Sequence, residues 1–483
     1  MVTRPERVPT RGRARLCMLI AVFVAGTLTG CAMFHKLDVG QIHAESAARI
    51  GRNPVIFVHG FIGAKLKNRH THESVWGRFI NAIRRGETDD LSLPIDVFPI
   101  TDNRDDLIPY SLYERVAGVK FYGAIIDALT DLGGYQIGDI DNPKPGDNLF
   151  VYCYDWRRDN VESAIGLGRA IRQIKARTKS PDMRFDILAH SMGGLVAEYY
   201  LKYGMEDVVS DGEEHAVTYA GAPDIGRMVL IGTPLRGTMS AFKVLNTGFS
   251  RTMSPQVVFT MPSVYQLMPH DGRGHLVDAE GNPIDKDLYD AEEWVQNGWS
   301  VFDPKRLDGG RAGEIAGEDG KTPASAEDRV EKMRAFLVAA LDRARGFHTA
   351  LAREGEGSSP VPIHLFGSDC IPTLDRAVVK ETGDGTVTLF DDERAPDKVL
   401  KQLQKAMLAP GDGTVTAQSL LALSNRLDEA DSARSSQTFA STFFFCESHG
   451  MLPTNRSFQD NMFYVLFNSP ARPSPTPHVA GGR

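Results

Sequence analysis

Six short, mainly apolar runs punctuate the chain: Pro54 to Val58, Leu149 to Tyr154, Phe185 to Leu188, Met228 to Ile231, Val361 to Phe366 and Thr442 to Phe445. Runs of this length without polar alternation predict strands covered on both faces, as in a parallel sheet. Between them, Ala164, Leu167, Ile171 and Ile174 recur at helical spacing, and Phe458, Met462, Val465 and Leu466 do so near the end. Each stripe predicts a helix packed on the sheet. Strands alternating with helices in this way predict an α/β fold on a mostly parallel, doubly wound sheet.

The rhythm breaks between about Arg236 and Ser325, where apolar periodicity is weak and the middle, His270 to Gly320, is rich in Gly, Asp and Glu. Ser325 is placed to cap a long helix with an apolar stripe of Val330, Met333, Leu337, Leu341 and Ala344, which returns the chain to the core. A cap or lid insertion over about 236–345 is therefore expected within a globular domain spanning 51–470. Residues 471–483 are Pro-rich and are expected to form a disordered tail.

The N-terminus stands apart from this pattern. Arg4, Arg7, Arg11, Arg13 and Arg15 precede an apolar stretch, Leu16 to Leu28, that is short for a membrane span and reads as a secretory signal. It ends in Leu28-Thr29-Gly30-Cys31, which resembles a bacterial lipobox. That resemblance implies a signal peptide over 1–30, lipidation of Cys31, a tether over 31–50 and attachment to a membrane surface. Ala32 stands where bacterial lipoproteins retained at the inner membrane tend to carry aspartate, so the expectation is an exported envelope lipoprotein at the outer membrane, facing the periplasm or the cell surface.

Losing residues 1–30 removes five arginines and one glutamate and moves the formal charge from -8 to -12. An acidic mature chain argues against a nucleic-acid partner. Export would allow a disulfide between Cys370 and Cys446, with buried free thiols as the alternative, and Cys153 completes the internal set. No cysteine and histidine spacing suggests zinc, and no cofactor is expected.

Candidate chemistry centres on Ala189-His190-Ser191-Met192-Gly193-Gly194, which follows one apolar run and precedes the helix-like Leu195 to Leu201. A strand, a sharp turn at serine and a helix form a nucleophile elbow, in which small residues two positions either side keep the tight turn clear of its neighbours. Ala189 and Gly193 satisfy that demand. A serine hydroxyl needs a base, an acid that orients the base, and donors for the oxyanion that develops on attack. The backbone N–H of Met192 is one expected donor. His59-Gly60-Phe61-Ile62-Gly63, directly after the first strand, offers a second at Phe61, with His59 read as structural.

The chain order of serine, acid and histidine points to His449, beyond the last apolar run, as base. Three aspartates compete as acid, because Gly383-Asp384-Gly385-Thr386-Val387 and Gly411-Asp412-Gly413-Thr414-Val415 are the same five residues and Asp369 closely follows a strand. Asp384 falls between two short strand-like runs, Arg376 to Lys380 and Thr386 to Phe390, and reads as a hairpin turn. Asp412 lies between two helix-like runs and is preferred, with Asp369 next and Asp384 last.

With these residues placed, the chain resembles the lecithin:cholesterol acyltransferase family, together with phospholipid:diacylglycerol acyltransferases and lysosomal phospholipases. The resemblance lies in Pro54 to Gly63, Tyr154-Asp155-Trp156-Arg157, the Ser191 elbow, Gly232-Thr233-Pro234, Pro262 to Pro269, Gly411 to Val415 with Ser419-Leu420, and Ser448-His449-Gly450. It implies an α/β-hydrolase fold, a Ser191, Asp412 and His449 triad, oxyanion donors at Phe61 and Met192, and supporting roles for His59, Gly60 and Tyr154 to Arg157. It further implies acyl transfer on a lipid ester, either to water or to a lipid alcohol. Ala189 departs from the usual glycine, and the insertion after Pro269 is charged rather than plainly amphipathic. The competing readings are an esterase of soluble or polymeric esters and a non-catalytic envelope lipoprotein that keeps the fold.

Overall fold

The computed structural model describes residues 52–77, 89–116, 119–249, 253–307, 326–356, 359–382, 385–391, 398–423 and 439–468. The signal, Cys31, the tether, Ser325, Asp384 and the C-terminal tail lie outside them.

Seven parallel strands form the central sheet: β1 (Val55–Val58), β2 (Ile137–Gly138), β3 (Leu149–Tyr152), β4 (Phe185–His190), β5 (Ile225–Ile231), β6 (Ile363–Gly367) and β7 (Ser441–Phe444). Their order is β7-β6-β5-β4-β1-β3-β2, and every neighbouring pair is parallel. The six apolar runs supply six of these strands. The edge strand β2 is only two residues long and leaves Ile137 exposed.

Alternate side chains of the central strands feed two separate cores, which is why the runs are mainly apolar. Ile56, Val58, Ile187, Ala189, Met228 and Leu230 face one core, built with Val161, Ala164, Leu167, Ile171 and Ile174 of helix α2 (Asn160–Thr178). Val55, Phe57, Leu188, Val229 and Ile231 face the other, where Ile125 of α1 (Tyr122–Asp127) and Phe458, Met462, Val465 and Leu466 of the C-terminal helix (Arg456–Asn468) pack. The two stripes read from the sequence thus cover opposite faces of one sheet. The elbow helix α3 (Met192–Tyr203) is buried along its whole length beside α2.

The described part of the segment between β5 and β6 mixes short helices with a mostly irregular stretch over 266–290. It contains α4 (Met239–Thr247), several shorter turns of helix, and α5 (Ala326–Ala352), in which Met333, Leu337, Leu341 and Ala344 are buried. An aromatic cluster holds the shorter pieces, with the Phe242 ring set edge-on to Trp294 at 5.6 Å and Trp299 at 4.9 Å. Arg343 of α5 anchors the segment to the main domain through hydrogen bonds of 3.0 Å to both carboxylate oxygens of Asp159, the cap of α2, and of 2.8 Å to both of Asp207. No helix among the described residues is long and apolar enough to cross a membrane.

Candidate active site

Ser191 occupies the turn between β4 and α3 with φ 56 and ψ -128, a backbone region that L-residues rarely adopt. The surroundings impose this turn. The Ser191 N–H continues the sheet by donating to Ile231 O at 2.8 Å, and the next three residues already coil as helix. A Cβ on Gly193 would strike the carbonyl oxygen of His59, and one on Gly194 would strike the Thr233 hydroxyl. Both glycines let α3 start directly against the oxyanion loop and the strand beside it. Gly194 was not singled out by the sequence, because its neighbour is remote in the chain.

The three residues named for acyl-transfer chemistry meet at the C-terminal edge of the sheet. His449 Nε2 lies 2.9 Å from Ser191 Oγ, and His449 Nδ1 lies 2.7 Å from Asp412 Oδ2. The His449 N–H also donates to Asp412 O at 2.8 Å, so backbone and side chain both join acid to base. Burial pushes the Asp412 carboxyl up, but the His449 side chain and the N–H groups of Val415 and Thr414 outweigh it and hold the carboxyl below its ordinary value.

The loop sequence explains how Asp412 is aimed. Its Oδ1 accepts from the N–H of Thr414 at 2.9 Å and of Val415 at 2.7 Å, an Asx-type turn that leaves Oδ2 for His449. Gly413, at φ +88, donates to Thr373 Oγ1 at 2.8 Å. The loop rides on an antiparallel pair, Ile371–Leu374 with Leu408–Gly411. Of the other two aspartates, Asp369 is exposed at the end of β6. Asp384 lies outside the described residues, in the connection of an antiparallel pair, Ala377–Thr382 with Gly385–Leu389. A disulfide joins Cys370, just before the strand that carries the acid loop, to Cys446, three residues before His449, and Cys153 is free.

The segment Tyr154 to Arg157 lies behind the loop from His59 to Gly63 and braces it. The Tyr154 ring stacks on His59 at 4.3 Å, and its hydroxyl donates to His59 O at 2.7 Å. His59 Nε2 accepts from the Tyr154 N–H, so its proton sits on Nδ1 and is donated to Gly60 O at 2.8 Å. Burial pushes this imidazole down to about 4, which makes it a neutral strut. Trp156 meets the Phe61 ring edge-on at 4.9 Å and donates from Nε1 to Ala64 O. Arg157 is wholly buried and uses all five of its donors, on Asp155, Asp105 and Leu91 O.

Gly60 belongs to the same packing, because a Cβ there would come within 2.7 Å of Ser191 Cβ. The loop backbone therefore passes directly against the serine. Met192 opens α3, where the first N–H groups of a helix have no acceptor within it. The Pro262 to Pro269 segment acts on this frame from outside, with Ser263 Oγ donating to Trp156 O at 2.7 Å and Gln266 bonded to Asn160 N and Asp159.

Gly232 is a further site residue that the sequence reading placed only within a motif. It sits at φ +57, and a Cβ there would lie 3.1 Å from His449 Nδ1 and 3.2 Å from Asp412 Oδ2. Gly232→Ala is therefore expected to cost about 1–2 kcal/mol of stability from the left-handed backbone, and to lower kcat by roughly 10- to 100-fold by displacing the acid–base pair. A melting curve read beside steady-state kinetics separates the two effects, and an unchanged kcat would disprove the packing argument.

Residues 113–292 match the family model for lecithin:cholesterol acyltransferase, a stretch that includes the Ser191 elbow and ends before Asp412 and His449. The chain is 28% identical over 247 residues to Phospholipase A(1) LCAT3 of Arabidopsis thaliana, covering 46% of this chain and 54% of that protein. It is 23% identical over 247 residues to the uncharacterized protein YJR098C of Saccharomyces cerevisiae, covering 51% and 33%. The chain thus spans about half or less of the length of these relatives. In fold it resembles a chain in the crystal structure of the Tle4-Tli4 complex, with a TM-score of 0.52, 13% identity, and 86% and 98% of the two chains covered. The parallel sheet and the strand, elbow and helix at Ser191 are those of an α/β-hydrolase.

Proposed function

Because residues 113–292 relate this chain to the lecithin:cholesterol acyltransferase family, we propose that it is a serine-dependent acyl hydrolase or transferase acting on lipid esters. The observation that carries this reading is the hydrogen-bonded series from Ser191 through His449 to Asp412, built on a serine in elbow geometry. His449 Nε2 takes the hydroxyl proton while Ser191 Oγ bonds to the ester carbonyl carbon. Asp412 steadies the imidazolium that forms, and the N–H groups of Phe61 and Met192 receive the oxyanion. Collapse breaks the ester C–O bond, the leaving alcohol takes the proton from His449, and the acyl group stays on Ser191. A second nucleophile, activated by the same histidine, then releases it.

The name of the Arabidopsis relative supports a phospholipid acyl donor with water as the second nucleophile. The lipobox-like Leu28 to Cys31 supports attachment to an envelope membrane through a lipidated Cys31, where such a donor is abundant. The Cys370–Cys446 disulfide suits an exported, oxidising setting. Mass spectrometry of products after incubation with vesicles of isotope-labelled phospholipid and a mixed pool of lipid alcohols tests the assignment. Labelled free fatty acid is the expected product. Labelled ester of a pool alcohol would make the protein a transferase, and turnover of short soluble esters alone would remove the lipid part of the reading.

A further inference from the structure

His190, the residue before the nucleophile, is buried and takes no part in the steps above, yet both of its ring nitrogens are engaged. Nε2 lies 3.1 Å from the carbonyl oxygen of His449, and Nδ1 lies 2.8 Å from the hydroxyl of Tyr122 on α1. That hydroxyl also accepts the Gly60 N–H at 2.9 Å. The two ends of this series fix the direction of every bond within it. A carbonyl oxygen only accepts, so Nε2 carries the His190 proton, and Nδ1 is left bare. A backbone N–H only donates, so the Tyr122 oxygen is its acceptor and the Tyr122 proton must go to Nδ1. The outcome is a one-way chain from Gly60 N–H through Tyr122 and His190 to His449 C=O. Burial pushes His190 down to about 3, which keeps the bare Nδ1 unprotonated through the neutral range.

The chain spans the site. Gly60 adjoins Phe61 in the oxyanion loop, and His449 supplies the base. These loops leave the C-terminal ends of β1 and β7, which lie four places apart in the sheet, so strand pairing alone does not set the distance between them. We propose that Tyr122 and His190 are positioning residues, which hold the oxyanion loop and the base loop at a set separation around Ser191. This inference rests on the serine reading above. Phe57 and Phe121 pack against the Tyr122 ring at 5.2 Å and 4.4 Å, so loss of the hydroxyl leaves the ring in place and removes only the link.

The test uses the full chain and four variants, Tyr122→Phe, His190→Leu, their double, and His190→Gln, whose amide oxygen and nitrogen restore one acceptor and one donor. Steady-state kinetics on p-nitrophenyl butyrate are read with active sites counted by a fluorophosphonate label on Ser191. Each single variant, Tyr122→Phe and His190→Leu, is expected to lower kcat by about 10- to 100-fold with KM within a few fold. The double should be no worse than the poorer single, because both cut one chain, and His190→Gln should recover most of the loss. Losses that multiply in the double, or a Gln variant as poor as Leu, would assign the two residues to packing alone. Should His190→Leu fail to fold, Tyr122→Phe decides alone, and wild-type kcat in it overturns the proposal. Wild-type protein that takes no label at Ser191 would overturn the serine reading instead.

Discussion

Ser191→Ala is expected to abolish fluorophosphonate labelling and to lower ester turnover by about 10⁴- to 10⁶-fold while leaving the fold intact. The size of the effect follows from what the hydroxyl does. In the proposed mechanism it is the atom that attacks, and none of the remaining groups replaces it. Water held by His449 can still reach a bound ester next to the oxyanion donors, so a residual rate above background should persist. Stability should change little, because the turn is held by the Ser191 N–H on Ile231 O and by the glycine contacts of α3. An alanine variant that labels as fast as wild type would move the nucleophile elsewhere in the chain.

Asp412→Asn is expected to cost on the order of 10⁴-fold in kcat, by analogy with the acid of serine protease triads. An asparagine can still reach His449 Nδ1 but can present an N–H where the carboxylate presented an acceptor, which favours the wrong tautomer and withdraws the charge that steadies imidazolium. Its Oδ1 can keep the two turn bonds to Thr414 and Val415, so the loop should survive. The companion variants make the test specific, since Asp369→Asn and Asp384→Asn should each stay within a few fold of wild type. A folded Asp384→Asn variant that proved the worst of the three would reverse the choice between the twin motifs.

Much of this was legible in the sequence, and the reason is burial. Strands covered on both faces leave mainly apolar runs, so β1, β3, β4, β5 and β6 declare themselves, and the half-buried edge strand β7 does so through Phe443 and Phe444, whereas the two-residue β2 with its exposed Ile137 leaves no pattern. The pair that carries Asp412 was invisible for another reason. It is short, holds Pro372 and Pro410 opposite each other, and follows a helix that dominates the local signal. The segment after Arg236 shows weak apolar periodicity because its helices before α5 run only four to nine residues and are held by aromatic contacts among Phe242, Trp294 and Trp299. Serine, acid and base could be ordered because their chemistry is specific. Tyr122 could not, since its importance comes from what lies beside it in space, and Gly232 could be placed in a motif but not given a role for the same reason.

The Cys370–Cys446 bond encloses the strand pair, the hairpin and the helix from which the acid loop emerges, and it closes three residues before the base. A loop of 76 residues closed in this way removes chain entropy from the unfolded state worth about 4 kcal/mol in the simple model. That contribution does not depend on how well the enclosed segment packs. Ser191 is held by the core on both faces of the sheet, whereas Asp412 lies within a covalent ring that closes just before His449. If the ring's contents open locally, Cys446 and the His449 that follows it stay tied to the end of β6, so Asp412 returns to a partner that has kept its place.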